Sequence, residues 1–157
     1  MTVIRDMTPG DLDAVSRLAE ELVLLHHSWD TTRFFTTPEI AKGYRRYFQS
    51  QLGEEGVVLL TAEVDGVVAG YLFGTLESRD WAKLLDAHGA VHDVFVGAAQ
   101  RRLGVAQGLM SEARARFQKL GAAQMVLYSA SSNVEGQTLF TRLGFRPTMV
   151  EMTLDLK

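Results

Sequence analysis

Between Val91 and Met110 the sequence runs VHDVFVGAAQRRLGVAQGLM, an apolar, strand-like segment that leads through Arg101-Arg102-Leu103-Gly104-Val105-Ala106 into a helical pattern. A strand-to-helix joint of this composition can hold an anion. The first turn of a helix leaves N–H groups without intrahelical partners and carries the positive end of the helix dipole, so a phosphate fits there without a side chain. Gly104 permits a tight turn and close approach to the main chain, Ala106 stays small, and Arg101 and Arg102 attract a polyanion. Gly104-Val105-Ala106-Gln107 lacks the Lys-Ser/Thr ending of a nucleotide-binding P-loop. The plain alternative is an ordinary joint with arginines on a solvated face, and a short glycine pattern alone does not decide between the two.

Composition limits what such a cradle serves. A chain of 157 residues with 46% hydrophobic content is expected to form one domain over residues 1–157 around a single core. A net charge of −3, with no basic face beyond the arginine pair, argues against nucleic acid as a partner. The absence of cysteine excludes disulfides, a thiol nucleophile and Cys-rich metal sites, and favours a cytoplasmic setting. His26-His27 lacks the further ligands of a metal site, so no metal is expected. The N-terminal MTVIRDMTPGDLDAV is too charged for a signal peptide, and no apolar run is long enough for a membrane span.

The elements that must position the cradle follow from periodicity. Val3–Asp6 reads as a strand, Thr8-Pro9-Gly10-Asp11 as a helix start, and Leu12, Val15, Leu18, Ala19, Leu22 and Leu25 as one helical face. Pro38 is expected to open a second helix bearing Ile40, Tyr44, Tyr47, Phe48 and Leu52. Val57–Val64 and Val67–Leu76 read as a hairpin about Asp65-Gly66. Ala90–Val96 feeds the cradle and the helix Val105–Leu120, which Gly121 ends. Gln124–Ala130 reads as a strand, Glu135–Leu143 as a helix and Met149–Leu156 as a last, alternating strand. The order is β-α-α-β-β-β-α-β-α-β.

That order, with V-x-V at Val94–Val96, R-x-x-G-x-A at Arg101–Ala106 and Asn133 ahead of Leu139-Phe140-Thr141-Arg142-Leu143-Gly144-Phe145, resembles the GNAT family of acetyl-CoA-dependent N-acetyltransferases over essentially the whole chain. The resemblance implies an α/β protein of the α+β type, with a central mixed, mostly antiparallel sheet flanked by helices. It implies acetyl-CoA as co-substrate and an amine of a small molecule, peptide or protein as acceptor. Main-chain groups of Val94, Phe95 and Val96 are then expected to pair with the pantetheine arm. The amides of Arg101, Arg102, Leu103, Gly104, Val105 and Ala106 are expected to hold the diphosphate, and Asn133 to contact the pantetheine region. Asn133 can equally cap the helix that follows it. Members often form homodimers through C-terminal strands, for which 149–154 offers an edge, although an alternating strand is equally expected in a monomer.

The implied reaction is direct attack of an amine on the thioester through a tetrahedral intermediate, with a strand N–H near Val96 stabilising the oxyanion. His92 and Asp93, immediately before the cofactor segment, are the candidate bases, with Tyr128, Glu63 and Glu77 as alternatives on neighbouring strands. Alternation along a strand predicts that at most one of His92 and Asp93 faces the site. Satisfied, half-buried structural roles are open to both. Many members carry a tyrosine seven positions after the asparagine. Here that position is Phe140, which keeps only a packing role at the thiol end of the cofactor, with Tyr128, Ser129, Ser131 or water supplying the hydroxyl. Loss of that hydroxyl keeps open a second reading, a non-catalytic acyl-CoA-binding or sensor domain of the same fold. The acceptor is expected near Leu22–Leu52, where Asp30 or Glu21 beside His26, His27, Trp29, Phe34 and Phe35 can hold a cationic amine.

Overall fold

Strand β1 (Thr2–Asp6) leads into a turn closed by its own side chains. Asp11 accepts hydrogen bonds from the Thr8 amide at 2.8 Å and the Thr8 hydroxyl at 3.0 Å. This capping pair turns the chain through a single 3-10 turn, Pro9–Asp11, into α1 (Leu12–Trp29). The computed structural model describes all residues, Met1–Lys157. Helix α2 (Ile40–Gln51) starts two residues after Pro38, because Glu39 adopts a left-handed conformation at φ 58° and becomes the cap. Next come β2 (Val57–Val64), β3 (Val67–Glu77), β4 (His88–Val96), α3 (Val105–Lys119), β5 (Met125–Leu127) and α4 (Val134–Arg142).

The strands form one mixed sheet in the order β1-β2-β3-β4-β5, with β1 to β4 antiparallel and β5 parallel to β4. Alternation gives the sheet two buried faces. Leu60, Leu72, Val91 and Val96 pack with Leu109, Met110, Phe117 and Phe140 of α3 and α4. Tyr71, Phe73 and Phe95 pack with Leu12, Val15, Leu18 and Phe48 of α1 and α2. The helix α3 sits close against the sheet because Gly89 carries no side chain. A Cβ there would lie 2.5 Å from the Phe117 ring.

Two expectations from the sequence change. The strand expected over Gln124–Ala130 shrinks to Met125–Leu127, paired only with Gly89–Val91. The last strand expected over Met149–Leu156 does not form, and Met149, Val150, Met152, Leu154 and Leu156 are between 77% and 90% exposed. Alternating polarity specifies a strand's face but supplies no partner edge. Arg33 of the α1–α2 connection instead holds this segment at Glu151 through two guanidinium nitrogens.

Arg5 joins the start of the fold to its sheet. Its guanidinium donates to both oxygens of the buried Asp11, at 2.7 and 2.9 Å, and to Glu63. The Arg5 bonds hold the Asp11 carboxyl at about 2, below its ordinary 3.8, against the opposing effect of burial. The native state therefore binds this proton less readily than the unfolded chain. Its contribution is complete above the unfolded value and is lost as pH falls through the folded one. Asp11→Asn is expected to cost about 2 kcal/mol at neutral pH. In urea unfolding series, the deficit should hold down to about pH 4 and shrink towards pH 2.

Candidate active site

The cradle forms where β4 ends. A short turn at Ala98–Gln100 is followed by Arg102 at φ 64° and Gly104 at φ 77°, and α3 begins at Val105. None of the main-chain N–H groups from Arg101 to Gln107 donates to a protein acceptor; the next amide, Gly108, bonds to the Gly104 carbonyl at 3.0 Å. No side chain caps this helix. No atom outside the immediate chain lies within 4 Å of the place a Gly104 Cβ would take, so the left-handed turn leaves this side open. Unpaired amides, the helix dipole and open space together suit a phosphate group.

The two arginines act differently. Arg101 turns back, donating from Nε to the Val96 carbonyl at 3.1 Å with its guanidinium 5.4 Å from the Phe95 ring, and so ties the cradle to the end of β4. Arg102 is solvent-exposed, 3.9 Å from Glu135 of α4. Leu103 is exposed on the turn, while Val105 is buried under it and Ala106 packs against the same core.

Main-chain geometry separates Val94, Phe95 and Val96. The Gly97 amide bonds to Ala69 at 2.8 Å, and alternation makes Tyr71 and Phe95 the next hydrogen-bonded pair. The Phe95 carbonyl lies towards β3, 2.8 Å from where a Gly70 Cβ would be. Phe95 thus spends its main-chain groups inside the sheet. Val94 and Val96 direct theirs to the other edge, where β5 has ended, and Arg101 occupies the Val96 carbonyl.

At His92 the register departs from the expectation. Phe73 pairs with Asp93 but Gly74 with Val91, which makes His92 the extra residue of a β-bulge. Val91 and Val94 therefore both pack on the α3 side, and His92 and Asp93 both point to the α1/α2 side. The His92 ring lies 5.1 Å from Phe73, and Asp93 accepts from the Tyr71 hydroxyl at 2.9 Å. Simple alternation missed this, since a bulge leaves no mark in apolar periodicity.

Burial raises the Asp93 carboxyl above its ordinary range, opposed by the Tyr71 bond and by the nearby His92 and His26. Burial and the Asp93 charge push Tyr44 of α2 up to about 12. Tyr71, fully buried, is raised well above its ordinary value by the same two causes. The wall of this site is therefore made of Tyr71, Asp93 and His92, with Tyr44 and His26 nearby. Sequence reading placed the last two only among helix-face and acceptor-region residues.

The remaining candidates fall elsewhere. Tyr128 is 69% exposed beyond the end of β5, under the Lys83 ammonium at 5.4 Å. Glu63 is bound by Arg5. Asn133 caps α4, accepting from the Gly136 amide at 3.0 Å, while its side-chain NH2 makes no protein hydrogen bond. Phe140 is buried 6.0 Å from Phe145. Ser129, just past β5, has a buried hydroxyl with no protein partner. Asp30 binds its own turn at Thr32 and Arg33. No cluster of potential metal ligands is present, and no helix is long and apolar enough to cross a membrane.

The sequence profile of the Acetyltransferase (GNAT) family matches residues 23–145. Comparison with curated protein sequences gives no match. Solved structures of similar fold include a predicted acetyltransferase with acetyl-CoA from Clostridium acetobutylicum, 16% identical over 99% of this chain and 97% of that one, with a TM-score of 0.75. An aminoglycoside antibiotic 6'-N-acetyltransferase from Acinetobacter haemolyticus is 17% identical over 99% and 98%, with a TM-score of 0.75. A transcriptional regulator from Bacillus halodurans is 18% identical over 99% and 100%, with a TM-score of 0.78.

The raised Asp93 gives a test of the site's electrostatics. A carboxyl that holds its proton more tightly in the native state makes stability fall as pH rises through its titration. Asp93→Asn keeps an acceptor for Tyr71 and removes the charge. Thermal melts should show the variant more stable than the parent at pH 8, with the gain vanishing below the ordinary carboxylate range; a variant no more stable at pH 8 would contradict the assignment.

Proposed function

The chain belongs to the GNAT family of acetyltransferases, and from that premise we propose that it transfers an acetyl group from acetyl-CoA directly to a primary amine of a small molecule or peptide. The observation that carries this reading is the run of main-chain amides from Arg101 to Gln107 without protein acceptors, at the mouth of α3. The CoA diphosphate suits those amides, and the pantetheine suits the outward main-chain groups of Val94 and the second lone pair of the Val96 carbonyl, whose first is taken by Arg101, as an added strand. The free NH2 of Asn133 and the orphan hydroxyl of Ser129 lie past the end of β5 as further polar partners.

In the proposed reaction an amine free of its extra proton attacks the thioester carbonyl. A Lys-like ammonium, with a reference pKa of about 10.4, must first give up that proton, and His92 or Asp93 receives it in this proposal. The carbonyl π pair moves to oxygen, where the outward N–H of Val96 supports the oxyanion. Attack leaves the nitrogen with one proton in excess, which it gives to water; the oxyanion then re-forms the carbonyl, the carbon–sulfur bond breaks and the CoA thiolate leaves. Phe140 cannot protonate it. With a thiol pKa of about 8.5 the thiolate is a fair leaving group and takes its proton from water, directly or through the Ser129 hydroxyl, which water reprotonates.

Phe140 also supports a second reading, acyl-CoA binding without transfer. Release of CoA from acetyl-CoA across polyamines, aminoglycosides, amino acids and peptide N-termini separates the two: turnover with one class establishes the enzyme, and binding without turnover favours the sensor. We assign the protein to the cytoplasm on its lack of cysteine.

The partner implied by the tail is a second copy of this chain. Five exposed apolar side chains on 149–156 and the free outer edge of β5 are complementary, and exchange of the segment between two copies would bury both. Sedimentation equilibrium should give a dimer for the whole chain and a monomer after deletion of residues 147–157. A monomeric whole chain would contradict the exchange.

For the cradle, Gly104→Glu places a carboxylate against the diphosphate and should weaken acetyl-CoA binding by about a hundredfold or more. Gly104→Ala carries the same cost of a left-handed backbone, about 1 kcal/mol, and should retain most of the affinity. Equal calorimetric affinities for the parent and the folded Glu variant would overturn the cradle.

A further inference from the structure

The bulge that brings His92 to the acceptor side also attaches it to two residues of β3. His92 Nε2 lies 2.7 Å from the Thr75 hydroxyl oxygen, and that oxygen lies 2.6 Å from Glu77 Oε1. A hydroxyl has one proton to donate, and an ionised carboxylate can only accept. The Thr75 proton is therefore committed to Glu77, and Thr75 can only accept from His92. Neutral His92 must then carry its hydrogen on Nε2 and its lone pair on Nδ1. The Phe73 ring, 5.1 Å away and tilted by 35°, packs beside the imidazole and restrains its orientation.

We infer that Thr75 and Glu77 are positioning residues for the acetyl transfer: they hold His92 in the Nε2–H tautomer and so present Nδ1 as the atom that takes the acceptor's proton. This rests on the acetyl-transfer reading for its chemistry. An N–H bond of the acceptor ammonium breaks, its electron pair stays on the amine nitrogen, and a new N–H bond forms at Nδ1. The resulting imidazolium is supported at Nε2 by Thr75 and by the Glu77 carboxylate, 3.9 Å away, and later returns its proton to water. The charged and titratable groups facing His92 are Glu77 on β3 and Asp93 on β4. From the opposite layer, His26 of α1 and Tyr44 of α2 act on Asp93. Three groups in series, imidazole, hydroxyl and carboxylate, thus do what a directly bonded carboxylate does in other hydrolytic and transfer sites.

The test reads His92 itself, so it needs no acceptor. Two-bond nitrogen–proton NMR correlations, assigned with a His92→Gln variant and recorded above the imidazole titration range, should show the Nε2–H tautomer. Thr75→Val should give a mixture, and Thr75→Ser should restore the single form. An Nδ1–H tautomer in the parent, or an unchanged tautomer in Thr75→Val, would overturn the inference. With an amine that is turned over, Thr75→Val and Glu77→Gln should lower kcat about ten- to a hundredfold with the KM for acetyl-CoA unchanged. Thr75→Ser should recover most of that loss. An altered tautomer with an undiminished kcat would refute the positioning role. A protein with the expected tautomer that binds acetyl-CoA but acetylates no amine would refute the transfer reading, and leave the hydrogen-bond chain as found.

Discussion

The organisation of the site depends on β4 having two unequal edges. Along one edge it is paired with β3 from end to end, while along the other β5 reaches only Gly89–Val91. Buried main-chain groups need partners, and beyond Val91 this flank has the Arg101 side chain at the Val96 carbonyl and no neighbouring strand. The bulge at His92 sits at the point where β5 leaves. It bends the strand and doubles the side chains delivered to one face. Beyond it, the outward groups of Val94 and Val96 run towards the unpaired amides at the start of α3. The proposed co-substrate, acetyl-CoA, has a strand-like arm and a diphosphate that suit this groove.

The two faces of the sheet divide the labour. On the α3 side, tight packing of Phe117 over Gly89 fixes the helix whose N-terminus forms the cradle. On the other side, α1 and α2 cover Tyr71 and Phe73 and partly bury the Asp93 carboxyl beside a tyrosine hydroxyl. Desolvating that carboxyl costs stability. The Arg5–Asp11–Glu63 cluster works in the opposite sense, since its carboxyls are paired and it locks β1, β2 and the first turn together.

Much of this was legible in the sequence wherever a local rule decides the outcome. Thr8 and Asp11 announce the first helix, Asp65-Gly66 announces the hairpin, and Gly104 marks the left-handed residue before α3. What escaped depends on pairing between distant segments. The bulge at His92 is a register property of β3 against β4, and periodicity along one strand cannot report it. The tail at 149–156 alternates like a strand but finds no edge in its own chain. Asn133 was readable as either cap or ligand contact. It is the cap through its oxygen, with its NH2 left free. Arg101 was expected to attract a polyanion by its charge; its bond to the Val96 carbonyl is a further contact that only the fold brings within reach.

The proposed function rests on binding of acetyl-CoA by the main-chain amides at the start of α3, continued by the open edge of β4. Amide chemical-shift mapping during titration with acetyl-CoA tests it most directly, with pantetheine, which lacks the diphosphate, as the comparison. Acetyl-CoA is expected to move the amides of Arg101–Gln107 and of Val94 and Val96, and pantetheine to spare the first group. Shifts confined to other parts of the surface, or the same 101–107 response to pantetheine, would contradict it.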